Sequence, residues 1–161
     1  IQAGPPLART QLAADRVSAA MTWEPSATLT MRDNPGNRII FNARQAWREI
    51  TGKDGWLLVL GAHEEFIRKN PAAIPRLVAT FQDGARFMRS NPDEADRIVS
   101  QSLNLPPGAF KEMVTTPRVV FEVRPTTDAA ARDSIWEVIK VAIGEGFFKQ
   151  PVPDQSILYA P

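Results

Sequence analysis

Arg16-Val17-Ser18-Ala19-Ala20-Met21-Thr22-Trp23-Glu24-Pro25 is the stretch on which the reading of the fold turns. Its apolar part, residues 17–21, has the length and composition of a buried β-strand. The run stops at an aromatic, a carboxylate and a proline. Proline fixes φ near the helical value and suits the first turn of a following helix, where a carboxylate such as Glu24 meets free backbone N–H groups. A strand that feeds a helix start predicts an α/β unit. Ligands bind at such junctions, because backbone N–H groups converge there beside the helix dipole. Trp23 and Glu24 are therefore expected at a ligand crevice, flanked by Thr22 and, past the proline, by Ser26.

Two further strands are expected on either side of a short helix over residues 43–51 that Gly52 ends. Residues 38–42 carry Ile39, Ile40 and Phe41, the β-branched and aromatic signature of a strand. Residues 55–61 enclose Trp56-Leu57-Leu58-Val59-Leu60 between two glycines, which reads as a strand buried on both faces. Residues 119–123 read as a short strand or an extended connector. Helices are predicted over 7–15 and 25–31, and they dominate beyond residue 62. A short one is opened by His63-Glu64-Glu65 and closed by Asn70-Pro71. The next, over 71–89, sets Ile74, Leu77, Val78, Phe81, Ala85 and Met88 on one face. Asn91-Pro92-Asp93-Glu94 supplies a cap, a proline at the first helical position and an early acid for a helix reaching about residue 102. Helices over 107–114 and 127–144 follow, the latter burying Ala131, Ile135, Val138, Ile139 and Ala142. The tail Pro151-Val152-Pro153 is expected to be extended. The resulting expectation is an α/β fold, a small sheet with many helices, divided into residues 1–61 and a helix-rich part over 62–161.

Composition narrows the function. With 161 residues, 43% hydrophobic and 23% charged, the chain can bury a core as one domain or two small lobes. A formal charge of +1, with no block of basic residues, gives no field to draw nucleic acid. The absence of cysteine excludes disulfides, thiol nucleophiles and Cys-ligated zinc, and the single histidine, His63, excludes a multi-histidine metal site within one chain. None of the Gly-rich phosphate loops or the G-x-S-x-G elbow occurs. No catalytic residue, metal ligand or cofactor is assigned, and an enzyme is not expected.

Taken in order, several motifs resemble one family. The segment over residues 13–25 is similar to the "helix, then G-x-V-D-A-A-x-x-W-E-P" segment of ABC-importer substrate-binding proteins of the nitrate, sulfonate, taurine and thiamine-precursor type. Leu58-Val59-Leu60 followed by Glu65-Phe66-Ile67-Arg68-Lys69-Asn70-Pro71 resembles their "strand, then F-I-x-x-N-P" segment. Phe81 through Asn91-Pro92-Asp93-Glu94-Ala95 resembles the next helix and its "N-P-x-E-A" successor. Gly144-Glu145-Gly146-Phe147-Phe148 and Pro151-Val152 resemble the terminal segment. The ordered set spans nearly all of residues 10–155, with Asp15 and Ser18 departing from the family's glycine and aspartate. The resemblance implies a type II periplasmic-binding-protein-like fold, present in part. Residues 1–61 would belong to the second α/β lobe up to the hinge strand, and residues 62–161 would pack on the first lobe, which has no counterpart here. It also implies a small-molecule ligand, an ABC permease as membrane partner, and a periplasmic or lipid-anchored extracytoplasmic place. A truncated chain of this kind is expected to pair with a copy of itself. The alternative is a helical interaction or sensor domain with no solute site.

Each candidate ligand contact has a plainer reading. Trp23 suits a core as well as a cleft wall, where its indole offers a flat apolar face and one N–H donor. Glu24 suits a helix start as well as a ligand amine. His63 follows the expected hinge strand, and Ile67 breaks the H-E-x-x-H pattern, so packing at the hinge stands against ligand contact. Arg44 and Arg48, four apart, make either a solvated face or an anion clamp, and Arg124 falls near the expected cleft mouth.

Overall fold

A computed structural model describes residues 2–148 and 154–158. Among them the chain forms α1 (Pro5–Ala13), α2 (Ser26–Asp33), α3 (Ala43–Thr51), α4 (Glu64–Lys69), α5 (Ala73–Ser90), α6 (Pro92–Leu103), α7 (Ala109–Thr115), α8 (Ala129–Gly144) and a 3-10 turn over Gln155–Ile157. The α/β expectation is overturned, and with it the type II binding-protein-like sheet: helix makes up 58% of the described residues and strand none of them. The expected extended tail over 151–153 lies outside the described residues.

The stretches read as strands are extended or irregular backbone without a ladder. Strand propensity measures fit to a pleated, half-buried surface, and a strand exists only where a neighbour takes up its N–H and C=O groups. Here no neighbour is supplied. Met21 is 79% exposed, Ile40 84% and Leu58 83%. Residues 119–123 form the connector that was the other reading of that stretch, with the Phe121 ring tilted against Phe110 at 5.9 Å.

The described chain divides into two compact units, Ile1–Ile40 with Asp83–Glu122, and Phe41–Gln82 with Val123–Pro161. Each takes residues from both sides of position 61, and α5 runs through the boundary at 82/83.

In the first unit α6 packs on α7, α1 on α2, and α2 on α7. Its core is Ala95, Phe110 and Met113, with Met88, Val99, Leu105, Val114 and Phe121 packed against it. α6 starts as its sequence dictates, with Pro92 in the first turn and Asp93 and Glu94 next to the positive end of the helix. Asn91 stands at the N-cap position without a side-chain cap bond, and its amide instead donates to the Phe87 carbonyl at 3.2 Å. α6 ends at Asn104 in a left-handed conformation, and Gly108, also left-handed at φ 77°, opens α7.

In the second unit Asn42 caps α3 by accepting from the Gln45 amide at 3.1 Å, and left-handed Gly52 closes the helix. Asp128 caps α8, accepting from the Ala130 and Ala131 amides at 2.9 and 3.3 Å. Ala131 and Ser134 of α8 are buried, while Ile135, Val138, Ile139 and Ala142 are only partly so. Trp56 leans on α8, its Nε1 donating to Ser134 Oγ at 2.6 Å, and Lys53 pairs with Glu137 at 2.9 Å.

Candidate functional site

Thr22, Trp23, Glu24 and Ser26 stand together at the entry to α2, in the first unit. The Glu24–Pro25 peptide is cis. Pro25 occupies the N-cap position, and Ser26 opens the helix. Glu24 supplies the cap that Pro25 cannot: its Oε2 accepts from the Thr28 amide at 2.9 Å. Its Oε1 lies 3.4 Å from Arg118 Nε, a partner 94 positions away in sequence. Arg118 then donates to Thr28 Oγ1 at 2.9 Å and to Glu112 at 3.3 Å, and Arg32 reaches the other Glu112 oxygen at 2.9 Å. Arg32 also donates to the Pro107 carbonyl at 3.0 Å.

This chain of alternating charges ties α2 to α7 and to the segment after it. Thr28 at its centre is fully buried, and the Glu24 side chain is 11% exposed. The carboxylate is thus engaged by a helix amide and a guanidinium, the plainer of its two readings. Arg32 first, and Arg118 after it, hold the Glu112 carboxyl below the usual range against the opposing effect of burial.

Trp23 is 52% exposed, so its indole is open to solvent next to this locked carboxylate. The Thr22 hydroxyl makes one long contact, 3.5 Å, to the Trp23 carbonyl. Ser26 is buried and lines a cleft of about 510 Å³ between α1 and α2, whose walls include Pro6, Ala13 and Leu29. Across the cleft Arg9 and Asp33 form a two-pronged ion pair at 2.5 and 2.8 Å. Each stabilises the charged form of the other: the hydrogen bond from Arg9 draws the Asp33 carboxyl down, and that to Asp33 draws Arg9 up.

His63 belongs to the second unit, at the exposed N-cap position of α4, and makes no side-chain cap bond. Arg44 and Arg48 both turn to Asp54, at 3.5 and 3.9 Å, so the guanidinium pair is already facing a carboxylate. Arg124 lies 5.8 Å from the Trp56 ring centre, a cation–π distance. Among the described residues no group of three or more potential metal ligands comes together, and no helix is long and apolar enough to cross a membrane.

Sequence reasoning placed Trp23, Glu24 and Ser26 on one helix entry because they are neighbours in the chain. It missed Arg9, Asp33, Arg118 and Glu112, which share no local motif with it and meet it only through packing. Compared with protein-family models, with curated proteins and with solved structures, the chain matches none.

Proposed function

We propose that the chain is the solute-binding component of an ABC-type importer, working outside the cytoplasmic membrane and delivering a small polar organic molecule to a membrane permease. The motifs at residues 13–25, 65–71 and 81–95 support the class as residue patterns alone, without the strands expected beside them. The observation that carries solute capture is the half-exposed indole of Trp23, on a segment held in place by the Glu24 cap and Arg118. An aromatic face on a pinned segment can receive a ligand with little ordering cost. Two residues on, Pro25 and then Ser26 line the cleft between α1 and α2, whose volume is in the range of small-molecule sites. The charged groups lining that cleft are one guanidinium and one carboxylate, bound to each other. A ligand with both an anionic and a cationic or donor group, of the taurine or aminopyrimidine kind, would replace each partner in turn. A bare nitrate would leave Asp33 unpaired.

The test is a thermal-shift series on the whole chain with taurine, alkyl sulfonates, nitrate, aromatic acids and aminopyrimidines. A ligand at one hundred times its dissociation constant adds about 2.7 kcal/mol to stability, which such a scan reads easily. Trp23→Ala is expected to abolish the shift, whereas Ile50→Ala, at an exposed position of the other unit, is expected to keep it. No shift with any of these solutes would overturn the reading. A second reading, a helical interaction domain, is favoured by one observation, the exposed apolar run Leu57-Leu58-Val59-Leu60.

A further inference from the structure

Gly55-Trp56-Leu57-Leu58-Val59-Leu60-Gly61 carries the longest exposed apolar run among the described residues of the second unit, residues 57–60. Leu57, Leu58, Val59 and Leu60 are 76%, 83%, 71% and 63% exposed. The run is non-helical backbone, and residues 57–60 form no backbone hydrogen bond among the described residues. Trp56 anchors one end on α8 through Ser134. The four residues beyond it, with a bend at Leu57, therefore offer free N–H and C=O groups and solvent-exposed apolar side chains. That combination pairs edge to edge with another strand.

We infer that this run is an association strand whose partner is a second copy of the chain, paired antiparallel about Leu58. The residue types and the charges at its two ends select that partner. Within the run there is no charge and no proline, so an identical strand matches it position by position. In the antiparallel register Leu58 meets Leu58, Leu57 meets Val59, and Trp56 meets Leu60. The same register brings Lys53, before the run, beside His63 and Glu64, after it. The parallel register would instead set Glu64 and Glu65 against their own copies, which like charges oppose. Glu64 makes no ion pair among the described residues, and it would give Lys53, which Glu137 holds at 2.9 Å within one copy, a second carboxylate. The contact is isologous and closes at two copies. It does not rest on the solute-binding reading, and it is measured without ligand.

Sedimentation velocity of the whole chain from 1 to 100 μM, with amide hydrogen exchange at both ends of that range, tests the inference. The expected result is a monomer–dimer equilibrium in which alternate amides of residues 56–60 slow at least tenfold at the higher concentration. Leu58→Lys, which sets two lysines face to face at the centre, is expected to weaken the dimer at least tenfold with helical circular dichroism unchanged. Glu64→Lys is expected to weaken it as well, and so is raised salt. A monomer throughout, protection of these amides that ignores concentration, a dimer indifferent to both substitutions, or growth beyond two copies would each overturn it. The exchange measurement on the unaltered chain decides the matter even if Leu58→Lys fails to fold.

Discussion

Arg118 is the residue on which the first unit's polar interior hangs. It donates to Glu24 and Thr28, which lie 94 and 90 positions away and are little exposed to water, and to Glu112, six positions back and one-third exposed. Arg118→Ala leaves the Glu24 carboxylate and the Thr28 hydroxyl short of donors, and a loss of about 2 kcal/mol is expected from the cost of unsatisfied buried polar groups. Urea unfolding of the variant beside the unaltered chain checks it. Glu24→Gln keeps an oxygen for the Thr28 amide and loses the charge, so a smaller loss, about 1 kcal/mol, is expected. That substitution therefore reports on stability as well as on ligand contact, and Trp23→Ala is the cleaner probe of binding. The carboxyls of Glu112 and Asp96 both sit below their usual range. A group whose folded pKa is depressed adds stability above its unfolded pKa and loses it as pH falls through the folded one. Stability is therefore expected to fall as pH drops below about 4.5, the ordinary upper carboxylate value. Asp96→Asn should flatten that acid slope in a pH series of urea midpoints.

At the scale of elements, short helices here hold because other elements cap them. α7 has seven residues, too few to persist alone. Asp96 on α6 reaches its start, accepting from the Gly108 and Lys111 amides at 2.8 and 3.0 Å and from the Ser100 hydroxyl at 3.0 Å. Burial pushes the Asp96 carboxyl up, and the amides of Lys111 and Gly108, with the Ser100 hydroxyl, outweigh it. Gly108 must be left-handed to make this turn, and an added Cβ would lie 3.3 Å from Arg32 Nη2. Gly108→Ala is expected to cost about 1–2 kcal/mol, read as a lowered melting temperature. Asp128→Ala, which removes the α8 cap, should cost about 1 kcal/mol. Some helix ends were legible in the sequence. α3 has the range predicted with Gly52 as its end, and α6 and α8 begin at or within two residues of their predicted starts, although the Asn42 and Asp128 caps were not named there. Punctuation by Asn, Asp, Pro and Gly acts within one turn, so a local reading captures it. The strand readings at 38–42 and 55–61 failed because composition supplies only half of a strand. The other half is a neighbour, which no local pattern guarantees.

Over the whole molecule, the face of α5 shows how far amphipathic patterning can be read. Ala85 is buried, Ile74, Val78 and Met88 are partly so, and Leu77 and Phe81 remain 37% and 49% exposed. The spacing named the apolar side correctly and could not say how much of it would be covered. The same holds for the candidate site, where Trp23 and Ser26 were visible as neighbours and the ion pairs around them were not. The interleaved division of the chain has a practical corollary. The backbone passes between the two units at 40/41, 82/83 and 122/123, and at the middle passage it is helix. No single proteolytic nick can release either unit intact, and neither can be produced as one uninterrupted fragment.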